Sequence, residues 1–260
     1  MKNICQLCLL SVLLLQPSNL SSFIRECASI QEVIPEASPG TFVVFDIDNT
    51  LLRPRQMLGS DEWFKYYLGQ CERQFLSHEE AFNHAVDILH GVYSVTRVQP
   101  MEECTAKVVR TLQSQGVKII ALTARSPSTA NVTIRQLASI GIDMSVTAPS
   151  QVCFPLIDVS EALFYHGVLF TEGKSKKNAL SAFFRQLSWT PKKILFIDDK
   201  KQMLDDMSTY EQEGVEFVGL RFSGADACVK ALDPKICDVE LEAFSNLMSD
   251  AQAREYAQTR

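Results

Sequence analysis

The sequence predicts an α/β fold, a three-layer sandwich with a mostly parallel central sheet, on three grounds. Short apolar runs of strand length, Thr41 to Phe45, Val117 to Leu122, Ile194 to Ile197 and Val215 to Leu220, are separated by stretches whose apolar residues recur at helical spacing. The runs are apolar nearly throughout rather than alternating, which suits strands covered on both faces. With 260 residues, 46% hydrophobic and 22% charged, the chain has enough material for one large core and no compositional reason for disorder between its ends.

Residues 1–22 differ from the rest. Lys2 precedes an apolar stretch from Ile4 to Leu15, followed by the polar exit Gln16-Pro17-Ser18-Asn19-Leu20-Ser21-Ser22. This resembles a secretory signal peptide and is too short for a stable membrane span; the other reading is a buried or amphipathic N-terminal helix. Cleavage of the leader would place the protein in the periplasm or outside the cell, and retention in the cytoplasm. The folded domain is expected over residues 23–250, with a frayed tail at 251–260.

Phe23, Ile24, Cys27, Ile30 and Val33 sit at helical spacing, and Pro35 with Pro39-Gly40 closes that helix before the strand at Thr41. Residues 53–100 read as a helical insertion over the strand ends, rich in aromatics (Trp63, Phe64, Tyr66, Tyr67), with a helix starting at His78 behind the Ser77/Glu80 capping-box spacing. Cys104, Val108, Val109 and Leu112 mark a helix ended by Gly116; Ser126-Pro127 opens the next and Gly141 ends it. Val152 to Val159 and Ala162 to Phe170 suit a hairpin or two edge strands. Ser175 caps a helix carrying Leu180, Phe183, Phe184 and Leu187, and Val239 to Met248 reads as a terminal helix.

Several function classes lack support. A formal charge of −6 without a long basic stripe argues against nucleic acid as a partner. Neither G-x-G-x-x-G nor a Walker loop occurs. Beyond the leader, Cys27, Cys71, Cys104, Cys153, Cys228 and Cys237 are compatible with a disulfide or two, Cys228 and Cys237 being the nearest pair, but they offer no C-x-x-C metal site. Asn131-Val132-Thr133 fits a glycosylation acceptor but falls in an expected helix.

The chemistry concentrates where strands end. In open parallel sheets ligands bind beyond the carboxyl ends of the strands. Three strands deliver polar groups there: Asp46 and Asp48 from the first, Thr123 from the second, and Asp198 with Asp199 from a third. Four acids converging on one edge repel, and a hard divalent cation with oxygen ligands, Mg2+ first, is the natural counter-charge.

With those residues in view, the chain resembles the haloacid dehalogenase-like (HAD) superfamily, most members of which are phosphohydrolases. DIDNT (Asp46 to Thr50), LTAR (Leu122 to Arg125), Lys176 and FIDD (Phe196 to Asp199) match its four motifs in order over roughly residues 41–221. With HGVLFTEG (His166 to Gly173) the pattern is also similar to an uncharacterised bacterial subgroup, which brings no known substrate. The resemblance implies the Rossmann-like fold of that superfamily and a magnesium-dependent phosphatase acting on a small phosphorylated substrate. It implies that Asp46 attacks phosphorus to give an aspartyl-phosphate and that Asp48 serves as acid and then base. Thr123 and Lys176 would hold phosphoryl oxygens, and Asp198, Asp199, Asp46 and the Asp48 backbone carbonyl would hold the metal.

Some assignments stay open at this level. Lys174 competes with Lys176, and either of Asp198 and Asp199 can be the direct ligand. The position four residues after Asp199, where many relatives carry an acid, is Met203; Asp205 or Asp206 could substitute only across a longer turn. His78, His84, His90 and His166 show no ligand spacing, and Trp63, Tyr66 and Tyr67 suit packing of the insertion better than a pocket wall. The alternatives are an exported interaction or effector protein that uses this fold for binding, and a phosphotransferase.

Overall fold

The structure is a computed structural model that describes residues 22–75, 77–210 and 214–245; the expected leader, apart from Ser22, and the expected frayed tail lie outside the described residues. In chain order the strands are β1 (Phe23–Cys27), β2 (Thr41–Phe45), β3 (Leu52–Pro54), β4 (Val98–Pro100), β5 (Lys118–Thr123), β6 (Phe154–Pro155), β7 (Leu163–Tyr165), β8 (Val168–Phe170), β9 (Lys193–Asp198) and β10 (Glu216–Phe222). The helices are α1 (Val33–Glu36), α2 (Asp61–Cys71), α3 (His78–Val95), α4 (Thr105–Ser114), α5 (Ala130–Ser139), α6 (Lys176–Leu187), α7 (Lys201–Ser208), α8 (Asp226–Lys230) and α9 (Pro234–Ser245).

The main sheet runs β1-β10-β9-β2-β5-β8-β7-β6, parallel from β1 to β8, with β7 and β6 antiparallel at one edge. This is the α/β architecture expected. Alternation along β2 divides the core: Val43 and Phe45 join one apolar cluster with Val109 and Leu112 of α4 and Leu137 of α5, whereas Phe42 and Val44 join another with Leu180 and Phe183 of α6 and Leu204 of α7. Asp46 and Asp198 continue the parity of the second face, the side on which α6 begins.

Two expectations need correction. Phe23 to Cys27 is a strand, not a helix: it pairs in register with β10, from Phe23 opposite Val218 to Cys27 opposite Phe222. An edge strand of β10 left open would strand a row of backbone groups, and covering it outweighs a helical spacing that only five apolar residues support. Ile30 and Val33 do enter short helical turns, started by a Ser29/Glu32 capping box. The six cysteines among the described residues are all free, so no disulfide joins Cys228 to Cys237.

The edge segment forms three strands. Its β7–β8 turn uses His166 and Gly167, both at positive φ (47° and 76°). A Cβ at Gly167 would sit 2.3 Å from the Met144 carbonyl oxygen, so that turn admits only glycine. The terminal helix starts at Pro234, earlier than expected, with the proline at its first position. The short α7 escapes detection from sequence because it buries only Leu204 and Met207.

The insertion stands on a two-stranded antiparallel ribbon, β3 with β4, which carries α2 and α3 over the strand ends as a cap. Ser77 Oγ accepts from the Glu80 amide at the start of α3, as its spacing predicts. Trp63, fully buried, packs with Leu58, Val92 and Cys237, so α9 is part of the cap's own apolar cluster. Leu58 N donates to Glu240 Oε2 at 2.8 Å and Tyr66 Oη donates to Asp238 Oδ2 at 3.0 Å, tying that helix to the cap. Among the described residues no helix is long and apolar enough to cross a membrane.

Candidate active site

Adjacent strands β2 and β9 stop level with one another: Phe45 lies opposite Ile197, and Asp46 N donates to the Ile197 carbonyl at 2.8 Å. That register sets Asp46 beside Asp198 at the carboxyl edge. A carboxylate oxygen from each of Asp46, Asp198 and Asp199 falls within 4.8 Å of the others, all three residues being buried. Lys176, the first residue of α6 behind the Ser175 cap, is 5% exposed and reaches Asp46 Oδ1 at 2.5 Å and Asp198 Oδ2 at 2.7 Å. Lys174 is instead half-exposed and pairs with Glu161 at 3.4 Å.

Three buried carboxylates face one buried lysine, two more acids than that lysine can balance as ions. The electrostatics follow. Burial, with Asp198 beside it, pushes the Asp199 carboxyl up to about 7. Burial likewise pushes Asp46 well above the usual carboxylate range, against the pull of Lys176. Lys176 itself is lifted, because the attraction of Asp198 and Asp46 outweighs its burial. Asp198 has both oxygens engaged, Oδ2 by Lys176 and Oδ1 by the Lys200 amide at 2.8 Å. Asp199 does not: among the described residues its Oδ1 is buried without a hydrogen-bond partner, and its Oδ2 meets only Asn49 Nδ2 at 3.5 Å. A buried carboxylate oxygen left bare in a cluster of three acids is what a hard divalent cation would complete, displacing the protons they hold, so the residues fit Mg2+.

Asp48 stands outside this carboxylate cluster. Arg125 grips it with two hydrogen bonds, Nε to Oδ2 at 2.8 Å and Nη2 to Oδ1 at 2.7 Å. Arg125 is in turn held by Thr133 Oγ1 (3.0 Å) and Gln136 Oε1 (2.7 Å) of α5, and its guanidinium lies 4.4 Å from the Tyr93 ring centroid of α3. Thr123 is buried at the end of β5, and its hydroxyl accepts from the Arg125 amide at 3.2 Å. Asn49 adopts φ 62°, which asparagine tolerates, and so turns its amide toward Glu62 of the cap at 2.9 Å.

A cavity of about 230 Å³ lies between these residues and the cap, lined on the core side by Asp46, Asp48, Thr123, Arg125, Lys176 and Lys200. A more open cavity of about 760 Å³ sits at the opposite, amino end of the strands, between Ile34 to Thr41 and Trp189 to Lys192, and none of the candidate residues lines it. Sequence reasoning gave no role to Arg125, although LTAR contains it, nor to Lys200 and Asp61, which pair across the boundary between core and cap. Nothing local marks Asp61, which reads as an ordinary acid in a helix's first turn. Asp205 and Asp206 do not compensate for Met203: on α7 they pair with Lys201 (2.7 Å) and Lys177 (3.5 Å), while Met203 lines the cavity.

Known proteins resemble this chain along most of its length. A Chlamydia pneumoniae protein named "Putative outer membrane protein" is 24% identical over 243 residues, covering 90% of this chain and 91% of that protein. A Chlamydia trachomatis protein of the same name is 22% identical over 260 residues, covering 95% and 96%. An uncharacterized protein of Rickettsia prowazekii is 24% identical over 235 residues, covering 85% and 83%. Among solved structures, a HAD-superfamily hydrolase from Geobacter sulfurreducens aligns with TM-score 0.42 and 14% identity over 73% of this chain and 98% of its own. A HAD family hydrolase from Deinococcus radiodurans, solved with bound phosphate and sodium, aligns with TM-score 0.38 and 14% identity over 83% and 93%. The strand order, not these scores, carries the fold. The family model described as "Protein of unknown function (DUF2608)" matches residues 24–254, and the chain belongs to that family.

Proposed function

We propose that the chain is a magnesium-dependent phosphomonoester hydrolase of the haloacid dehalogenase-like type, working through an aspartyl-phosphate on Asp46. The observation that carries this reading is the bare Oδ1 of Asp199 beside Asp46 and Asp198, with Lys176 buried between the last two. Asp46, Asp198 and Asp199 would hold the Mg2+, which supplies Lewis-acid neutralisation of the phosphoryl oxygens.

The chain's own residues would divide the remaining work. Asp46 attacks phosphorus through a carboxylate oxygen; Lys176 on Oδ1 and Thr50 Oγ1, 3.4 Å from Oδ2, fix the plane of that carboxylate. Asp48, at the cavity edge, gives a proton to the departing oxygen and then takes one from the water that opens the intermediate. Arg125 orients Asp48 by holding both of its oxygens; in the acid step the oxygen that carries the proton is one the guanidinium has released. Thr123 and Lys176 would receive phosphoryl oxygens.

Hydrolysis of benzyl phosphate by the magnesium-loaded protein, beside Asp46→Asn, tests the reading. Turnover that survives in Asp46→Asn would sink it. Adding alcohols and searching for a phosphorylated acceptor separates hydrolysis from phosphoryl transfer.

We further propose that the protein acts outside the cytoplasm, supported by the leader-like residues 1–22 and by relatives named "Putative outer membrane protein". The N-terminal sequence of the mature protein is the check. A start at Met1 in exported material would contradict cleavage.

A further inference from the structure

The cap side of the cavity is built mainly from one face of α3, with Asp61 and Phe64 of α2 beside it. Phe82, Val86, Leu89 and Tyr93 recur along α3 at helical spacing and line the cavity, and Phe64 of α2 meets Phe82 edge to face with ring centroids 6.2 Å apart. A neighbouring face of the same helix, Ala81, Ala85 and Val92, is already buried within the cap. On the cavity face Leu89 also packs against the cap's apolar cluster and Tyr93 is buried beside Arg125, which leaves Phe82 and Val86 as that face's least committed residues. Phe82 remains 42% exposed on it.

The charged groups around the cavity are largely committed to one another. Asp48 is taken by Arg125, Asp61 by Lys200, and Asp46 by Lys176. His90 Nδ1 lies 3.3 Å from Ser128 Oγ. Ser126 and Glu172 are further polar side chains in the lining, and both belong to the core side rather than to the cap.

Resting on the phosphatase reading above, we propose that the leaving group accepted here is a compact apolar or aromatic alcohol, not a sugar, polyol or nucleoside. The volume, about 230 Å³, lies below the roughly 300 Å³ at which pockets for drug-sized ligands begin, and the phosphoryl group takes part of it. Hydroxyls set against Phe82, Val86 and Leu89 would lose water without gaining partners. An apolar wall of this kind discriminates by about ten- to a hundredfold.

The test is titration calorimetry of the full-length, magnesium-loaded protein with two non-hydrolysable probes, benzylphosphonate and 2,3-dihydroxypropylphosphonate. Benzylphosphonate is expected to bind at least about tenfold more tightly. Phe82→Gln, a change at a part-exposed site, is expected to erase most of that ratio, and Phe82→Leu to keep it. Equal affinities, tighter binding of the polyol, no binding of either probe, or a ratio indifferent to Phe82→Gln would overturn the preference. Turnover of benzyl phosphate is scored separately. Its absence with the affinity ratio intact removes the phosphatase reading and leaves the pocket's preference standing.

Discussion

At the floor of the cavity, buried charges sit at the ends of β2 and β9, and each depends on a named partner: Lys176 on Asp46 and Asp198, Arg125 on Asp48. Across from it, the cap helices meet the cavity with Phe64, Phe82, Val86 and Leu89, none of which depends on a single partner. Backbone register sets the floor, since pairing of Phe45 with Ile197 puts the acids side by side. Apolar packing holds the cap, largely through Trp63, Val92 and Cys237. Hence removing Lys176 or Arg125 leaves buried carboxylates without their counter-charge, whereas a change at the part-exposed Phe82 alters chiefly which surface a ligand meets.

The sharpest break between the two regions is kinetic. Asp46→Asn is expected to lower phosphomonoester turnover by on the order of 10⁴-fold or more, as loss of a nucleophile does, with little change in melting temperature. Steady-state kinetics and a thermal melt check both halves. Lys176→Met comes next and shows itself in stability. With the ammonium gone, Asp46 and Asp198 face each other in a buried site, and a loss of roughly 3–5 kcal/mol is expected by urea denaturation. A loss below about 1 kcal/mol would mean that the lysine is not the charge holding the floor together.

An effect of similar size separates floor from cap by pH. The Asp199 carboxyl sits at about 7 in the folded chain against an ordinary 3.8, and Asp46 is raised as well. Between those values the folded state keeps protons that the unfolded state has released, so stability falls as pH rises from about 4 to about 7 and then levels off. The expected loss for the metal-free protein is about 4 kcal/mol from Asp199 alone. Magnesium, competing with those protons, is expected to raise the melting temperature more at pH 8 than at pH 5. An equal magnesium shift at the two pH values would place the ion away from these carboxylates.

Legibility from sequence follows the same division. Asp46, Asp48, Thr123, Asp198 and Asp199 were readable because each ends an unambiguous apolar run, and a parallel sheet forces such ends to one edge. Lys176 could be favoured over Lys174 through its place at a helix start and its spacing ahead of Leu180, which resembles the family pattern; burial separates the two. Arg125 was hidden because its partners, Asp48, Thr133 with Gln136, and Tyr93, come from three separate stretches of chain. The cavity face of α3 was hidden too, since apolar residues on both sides of a helix do not say which side packs. β1 was misread because five residues at an edge carry too little pattern to overrule the partner strand that decides them.

The smallest expected effect tests whether the cap is held independently of the floor. Glu240 of α9 accepts from the Leu58 amide at 2.8 Å, so Glu240→Gln weakens a charge-assisted bond without removing the acceptor. A loss of about 1 kcal/mol is expected, a fall of about 2–4 °C in melting temperature for a chain of this size. Amide exchange at Leu58 and along α3 is expected to quicken, while exchange in β2 and β9 and the size of the magnesium-induced shift stay unchanged. The bond belongs to the apolar cluster around Trp63 and Cys237 and touches none of the carboxylates. If the magnesium shift shrinks in Glu240→Gln, the packing of α9 against the cap also sets the geometry of the floor, through Lys200 paired with Asp61 and Asn49 bonded to Glu62, which are the polar links from the strand ends to α2.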